Sequence, residues 1–156
     1  MKSKILITIT LVIAFIVLGP TLASAQKQSM EALNKEVFNL VNKHRKSVGL
    51  KPLVENETIA KEASHHSANM AAKKAPFGHE GFNGRSERLL KQVKNANATA
   101  ENVAYSSYSA ERVVNMWLHS PKHLKNIEGE YNYTGIGIAK GADGNLYYTQ
   151  IFVGVY

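Results

Sequence analysis

Cysteine is absent from this 156-residue sequence, and its absence excludes several kinds of protein. Without thiols the chain has no disulfide framework, no thiolate metal site and no cysteine nucleophile. Aspartate is scarce too: Asp143 is the single example, and its Gly-Ala-Asp-Gly context is typical of a turn. Paired-carboxylate chemistry would therefore depend on glutamates. Stability must come from apolar burial and hydrogen bonding.

Several functional motifs are also missing. The sequence contains no Gly-x-Ser-x-Gly nucleophile elbow, no glycine-rich phosphate loop and no calcium-loop pattern. Although the net charge is +7, no run of lysine and arginine is dense enough to predict binding of nucleic acid. A basic exported protein is expected either to be drawn to anionic cell-wall polymers or lipid head groups, or to be merely soluble.

The N-terminus has the pattern of a secretory signal peptide. A basic start is followed by an apolar run from Ile5 to Leu18 and by Ala23-Ser-Ala25. We predict cleavage after Ala25, which leaves 131 residues with a net charge of +5. The apolar run is shorter than the roughly 20 residues that cross a bilayer comfortably. Contact with a membrane is therefore expected only if the leader stays uncleaved.

Three parts of the chain are predicted. Residues 1–25 form the signal peptide, 26–30 a short polar and disordered lead, and 31–156 one domain with a sizeable core. The mature protein is expected to be secreted, either extracellular or associated with the cell wall. The style of the leader and the lack of cysteine are typical of a bacterium with a single membrane.

Helical periodicity comes first along the chain and strand alternation last, which indicates the α+β class. Strands at Tyr133–Ala139 and Leu146–Val155 are predicted to form an antiparallel hairpin. A loop is expected at 95–99, followed by a turn that passes into a short strand. Helices are predicted at 30–47, from an Asn56 cap to residue 75, at 86–93, after a Ser109 cap, and again from Ser120-Pro121.

The stretch from Met116 to Ile127 contains His123 in the first turn of the helix that Ser120 is predicted to cap. The positive end of a helix dipole disfavours imidazolium, so His123 is expected to be neutral, the form that binds metal or accepts a proton. The alternative is that His123 simply packs or caps beside Trp117. Trp117 itself is expected to lie in the core.

The remaining histidines that bear on function lie in a helix and in a loop. His65 and His66 are adjacent on a helix and point about 100° apart, so both cannot readily bind one metal. His66 falls on the apolar stripe and is predicted to be a satisfied core histidine, with His65 on the surface. His79 lies in the glycine-rich loop 77–85, a setting typical of a site, although an exposed turn is the alternative.

His79, Glu101 and His123 are the candidate site residues. Two neutral imidazoles and a carboxylate suit a divalent transition metal such as zinc, with a fourth position left for water. Without metal, the same groups would hold a water between a base and an orienting carboxylate. Their separation in sequence is too wide for a compact metal motif. Glu101 and Asn102 have an alternative role, which is to hydrogen-bond the backbone of a turn.

Four segments follow one another in a fixed order, and together they form a more specific pattern than any one of them alone. They are Phe77-Gly-His79, Glu101-Asn-Val-Ala104, Trp117 to Ile127, and Tyr133 to Ala139 followed by Tyr148 to Phe152. In this order the chain resembles the CAP superfamily of cysteine-rich secretory, antigen-five and pathogenesis-related proteins, in its short bacterial SCP-like form. The resemblance begins at about Met30. It implies an α–β–α sandwich with a small antiparallel sheet between helical layers and a cleft on one face.

The resemblance also implies which residues form the cleft. The family's cleft often holds two histidines and two acids that bind a divalent cation, commonly zinc. His79, Glu101 and His123 match three of these positions, whereas Ser120 stands where the second acid is expected. Ser120 and Asn102, the partner of Glu101 in the Glu-Asn motif, are expected to support the cleft.

The resemblance implies a non-enzymatic binding or interaction module at the cell envelope or outside the cell. Its ligand is expected to be a cell-wall polymer or a lipid, with a divalent cation or small ligand in the His/Glu cleft and no role for nucleic acid. The alternative is a metal- or water-dependent, protease-like hydrolase that uses His79, Glu101 and His123. A third hypothesis is a structural or interaction role in which the cleft is vestigial.

Overall fold

The computed structural model describes residues 19–106 and 109–156, with side chains from Ser29 onward. Most of the predicted signal peptide, including its whole apolar run, lies outside the described residues. Within the described ranges, no helix combines the length and apolar character needed to cross a membrane. The elements run in the order α1 (Gly19–Ser47), β1 (Val54–Glu55), α2 (Glu57–Ala71), α3 (Phe82–Gln92), β2 (Ala96–Ser106), α4 (Ala110–Leu118), α5 (Pro121–Ile127), β3 (Tyr133–Lys140) and β4 (Leu146–Val155).

The strands form one sheet in the order β1-β3-β4-β2. Strand β4 is antiparallel to both β2 and β3, and the two-residue β1 pairs in parallel with β3. The hairpin predicted from alternation is therefore confirmed as β3–β4. Because β4 lies inside the sheet and is covered on both faces, all its residues except the first and the last are buried.

The two faces of β4 separate two helical layers. Tyr148 and Phe152 pack in one apolar cluster with residues of α1, α4 and α5, and Trp117 belongs to it as predicted. Ile151 and Val153 pack in a second cluster with residues of α2 and α3. The α+β class and the α–β–α sandwich are confirmed. All described apolar clusters are built from Leu33 onward, so the chain expected after removal of the leader contains them entirely.

Close packing of α2 on β3 explains the alternate glycines in that strand. A Cβ at Gly135 would collide with the backbone of Ile59 and Ala60, and one at Gly137 with the backbone of Ala63 and Ser64. The helix axis can therefore approach the sheet more closely than ordinary side chains permit. This contact sets the distance between α2 and the sheet. It thereby also sets the position of the loop that follows the helix.

Two boundary predictions at the N-terminal half are corrected. Helix α1 is already helical at Gly19, so residues 26–30 are helical rather than a disordered lead. Residues 21–30 contain no glycine or proline, and alanine, leucine, glutamine and lysine favour helix continuation. Helix α2 ends at Ala71 instead of residue 75, while its Asn56 cap is confirmed by a bond of 3.2 Å from the Ile59 N–H.

The segment before Glu101 is the largest error of the sequence interpretation. Residues 95–99 were expected to be a loop, but β2 begins at Ala96 and continues without a turn to Ser106. Its composition is poor for a strand, yet almost every residue pairs with β4, which overrides the local preference. Helix α3 is also longer than predicted and begins at Phe82 instead of Ser86.

Candidate functional site

Glu101 is the centre of the candidate site. It projects from β2, and its side chain is only 1% exposed. Arg85 of α3 grips the carboxylate with two hydrogen bonds, from Nε to Oε2 at 2.9 Å and from Nη2 to Oε1 at 2.9 Å. A bidentate, charge-assisted pair of this kind is strong and fixes the orientation of both groups. The buried carboxylate is therefore neutralised by a protein cation.

The local sequence explains why Arg85 points inward. Gly81 adopts the left-handed conformation with φ of 74° and allows α3 to begin at Phe82. Arg85 then lies one turn before Leu89 on the buried face of this helix. Its Nη1 also donates to the Glu80 carbonyl at 2.9 Å, so the guanidinium ties the start of α3 to the site.

His79 contacts the same carboxylate from the solvent side. Its Nδ1 lies 3.0 Å from Glu101 Oε1, and its side chain is 52% exposed. Because an ionised carboxylate only accepts hydrogen bonds, Nδ1 carries the hydrogen. In the neutral imidazole, Nε2 is then an acceptor on the side of the ring away from Glu101.

His66 anchors the loop that carries His79. Its Nε2 donates to the Gly78 carbonyl at 2.8 Å, and the residue is 2% exposed. Burial lowers the pKa of His66, while the bond to Gly78 opposes that shift. The prediction of a satisfied core histidine is confirmed, and His65 is exposed as expected.

His123 is half-buried near the start of α5. Burial lowers its pKa, and the positive charge that His79 carries when protonated lowers it further. The expected neutral form is therefore supported, with burial as the larger of these two causes. Within the described structure, the buried Nδ1 of His123 has no hydrogen-bond partner.

A pair of asparagines connects β2 to α5. Asn102 Nδ2 donates to the His123 carbonyl at 3.2 Å, and Asn126 Nδ2 donates to Asn102 Oδ1 at 2.8 Å and to the Glu101 carbonyl at 3.1 Å. These bonds tie the backbone of α5 at His123 to strand β2 next to Glu101. Asn102 thus hydrogen-bonds the backbone, as the alternative interpretation of the Glu-Asn pair predicted, although the backbone is that of α5 and not of a turn.

Ser120 differs from its predicted role. It occupies the N-cap position of α5, but its side chain makes no capping hydrogen bond. Helix α5 begins with Pro121, whose fixed φ suits the first turn, and the Ser120 carbonyl accepts the Leu124 N–H at 2.8 Å. The helix start therefore depends on the backbone and on proline rather than on the serine hydroxyl.

The donor set does not fit a resident metal ion as it stands. Oε1 of Glu101 accepts bonds from Arg85 and His79, and Oε2 accepts a second bond from Arg85. His79 uses Nδ1 on the carboxylate, and Ser120 brings no second acid. Among residues 19–106 and 109–156, no three histidine or acidic side chains are grouped so that they could hold a metal.

Arg85 and Asn126 are site residues that the sequence interpretation missed. Arg85 is missed because the sequence predicts that α3 begins at Ser86, one residue too late to include it. With the helix begun at Phe82, Arg85 falls on the same face as Leu89, where a charge needs a buried partner. Asn126 lies in the stretch from Met116 to Ile127, but its position in the sequence does not indicate its hydrogen-bond partners.

Comparison with known proteins identifies relatives of this chain. The family model of CAP, the cysteine-rich secretory protein family, matches residues 38–156. A protein of Bacillus subtilis described as uncharacterized protein YkwD is 36% identical over 128 residues, which cover 81% of this chain and 49% of YkwD. The chain therefore spans about half the length of this curated relative.

Solved structures agree with the family match. An extracellular SCP-domain protein from Bacillus anthracis superposes with a TM-score of 0.70 and 26% identity, over 87% of this chain and 45% of that one. A cysteine-rich secretory protein from Staphylococcus aureus gives 0.65 and 25%, over 79% and 38%. An outer surface protein from Borrelia burgdorferi shares the fold, with a TM-score of 0.68 at 24% identity over 78% and 92%. The chain belongs to the CAP, or cysteine-rich secretory protein, family.

Proposed function

We propose that this protein is an exported, non-enzymatic binding module that holds a hydroxyl-bearing group of the cell envelope in the cleft beside His79 and His123. The observation that carries the proposal is that both carboxylate oxygens of Glu101 already accept hydrogen bonds within the protein and that its side chain is buried. Its carboxylate is bound by Arg85 and by His79 Nδ1, so the groups left for a ligand are imidazole acceptors.

The chemistry of the cleft favours a neutral ligand that donates hydrogen bonds. The His79 side chain is 52% exposed and has Nε2 free of the contact with Glu101, and a neutral His123 has one acceptor nitrogen. The guanidinium charge of Arg85 is buried and paired, so it does not attract an anion into the cleft. Hydroxyl groups of a wall polymer or of a lipid head group match this arrangement.

Location at the envelope is supported by the predicted leader and by the relatives. The Bacillus anthracis relative is described as extracellular, and the likeness to a Borrelia outer surface protein concerns the fold. The predicted mature charge of +5 adds a general attraction to anionic envelope polymers.

A hydrolase is the second candidate, because one contact favours it. The hydrogen bond from His79 Nδ1 to Glu101 orients the imidazole and leaves Nε2 as a base able to take a proton from water. This function requires turnover, whereas the binding function requires only retention. Release of soluble fragments from walls or peptides by the native protein, lost in His79→Ala, would establish it.

Retention on isolated walls of a single-membrane bacterium tests the binding function. The chain from Gln26 onward is expected to bind, and His79→Ala or His123→Ala should weaken binding by about twofold to tenfold, the loss of one hydrogen bond. The contribution of His123 to retention should persist down to the ordinary histidine pKa of 6.5, because the pKa of His123 is lowered. Below that region, protonation removes the acceptor and retention should fall.

The matched control for this experiment is His65→Ala. His65 is exposed on α2 and hydrogen-bonds the neighbouring Asn69 side chain, away from His79 Nε2 and His123, so its loss should leave retention unchanged. Equal retention of the His79, His123 and His65 variants would refute the role of the cleft. Failure of the native chain to bind walls or lipid would refute the function.

A further inference from the structure

One end of the sandwich exposes aromatic rings that the cleft does not use. Phe77 is 54% exposed and Tyr105 is 45% exposed, and their ring centroids are 5.9 Å apart. Tyr105 also packs on the buried Tyr147, at 5.1 Å. We call Phe77 and Tyr105, together with Lys73, Lys74 and Lys140, the aromatic tip.

Strand register and helix packing bring these residues to the same end. Tyr105 pairs with Tyr147, which in turn pairs with Ala139, so Lys140 follows directly at the end of β3. The end of α2 covers this row, because Met70 and Ala71 cluster with Tyr147 and Ala139. The chain that leaves α2 therefore places Lys73, Lys74 and Phe77 over the hairpin end of the sheet.

The lysines give the aromatic tip its charge. Lys73, Lys74 and Lys140 are all exposed. The carboxylate of Asp143, in the nearby hairpin turn, accepts bonds from the Tyr147 hydroxyl at 3.0 Å and the Asn145 N–H at 3.1 Å. Glu80 is the acidic side chain of the loop after Phe77, so cations outnumber acids at this end.

Lys73 occupies a position where glycine is the favoured residue. It follows α2 with φ of 56°, donates its N–H to the Met70 carbonyl, and is followed by the bond from Lys74 N to Asn69 O. This is the Schellman arrangement, whose left-handed residue is usually glycine. A lysine there is strained, and strain of this kind is common where a side chain serves function.

We propose that the aromatic tip docks on an anionic phospholipid surface. Aromatic rings settle at the head-group level of a bilayer, and surrounding lysines are attracted to anionic lipids. A hydrated wall polymer lacks the apolar interior in which Phe77 could be buried, so the exposed ring selects lipid. This inference deepens the proposed envelope function and rests on it.

Docking would also orient the cleft. Phe77 lies two residues before His79 in the same loop, which His66 holds in place through Gly78. A tip seated among lipid head groups therefore carries His79 to the membrane surface. The hydroxyl-bearing groups that the cleft is proposed to bind are then present at that surface.

Co-sedimentation with vesicles tests the inference on the chain from Gln26 onward. Vesicles of phosphatidylglycerol mixed with phosphatidylcholine should bind the native protein, and phosphatidylcholine alone should bind it weakly. Lys73→Gly should weaken binding to the anionic vesicles by about fivefold, the contribution of one lysine. Because glycine suits a positive φ, this variant should fold at least as stably as the native chain.

Phe77→Ser is the second test variant, and two matched controls accompany it. Val48→Ser removes an apolar side chain that is 49% exposed away from the aromatic tip, and Lys91→Ser removes an exposed lysine of α3. Only the Phe77 and Lys73 variants should bind the anionic vesicles more weakly than the native chain. Equal losses in all four, or binding indifferent to lipid charge, would overturn the proposal. Retention on walls with no vesicle binding would also overturn it and leave the proposed function standing.

Discussion

Arg85→Ala is expected to lower the free energy of unfolding by about 3–5 kcal/mol, because it leaves a carboxylate buried without its cation. The Glu101 side chain is 1% exposed and that of Arg85 is 6% exposed, so little water can replace the lost contact. Two charge-assisted hydrogen bonds disappear together. Urea unfolding followed by circular dichroism measures the loss.

Arg88→Ala is the matched control for this change. Arg88 is also in α3 and makes a similar two-bond contact with Glu62, but its side chain is 49% exposed. Its loss should cost less than about 1 kcal/mol, as for other surface ion pairs. Adding Glu101→Gln to the Arg85 variant should recover part of the stability, because the buried charge is removed. Equal, small losses of stability in Arg85→Ala and Arg88→Ala would contradict the burial of the Arg85–Glu101 pair.

Arg45→Met is expected to lower the free energy of unfolding by roughly 3 kcal/mol, because it leaves one buried and three partly buried carbonyls without their donor. Arg45 is 2% exposed, and burial lowers its pKa. Its guanidinium donates to the carbonyls of Lys51 at 2.9 Å, Ile127 at 2.6 Å, Gly129 at 2.9 Å and Tyr131 at 3.4 Å. Methionine fills much of the space and supplies no donor.

The position of Arg45 links the scaffold to the site. It joins the end of α1 to the chain that leaves α5, the helix that carries His123. It also lines a groove of about 950 Å³ together with Lys51, Gly129 and Tyr131. Lys46→Ala, at an exposed neighbouring position, should change stability by less than about 0.5 kcal/mol. A loss at Arg45 no larger than that at Lys46 would show that the carbonyls find other donors.

Much of the scaffold was predictable because its signals are local. Alternating residues predicted the β3–β4 hairpin, and Asn56 predicted the start of α2. The strand β2 was not predictable in the same way, since Ala96 to Thr99 have the composition of a loop and become a strand only by pairing with β4. Long-range pairing of this kind leaves little trace in a single segment.

The candidate site was predictable only in part. The resemblance identified His79, Glu101 and His123, and the structure joins the first two directly. The resemblance gave no reason to expect Arg85, because the spacing of residues in a sequence does not indicate which cation pairs with a buried acid. The helix dipole predicts a neutral His123, and the structure adds burial, which also lowers the pKa of His123. Cleavage after Ala25 stays a prediction.

Arg85 neutralises the Glu101 carboxylate, which accepts the Nδ1 hydrogen of His79 and thereby fixes the tautomer of that imidazole. Nitrogen-15 NMR of the histidine imidazoles, recorded while zinc is added to the chain from Gln26 onward, tests this claim most directly. The predicted spectrum shows His79 with its hydrogen on Nδ1 and does not change with stoichiometric zinc. Joint, stoichiometric shifts of the His79 and His123 nitrogens would contradict it.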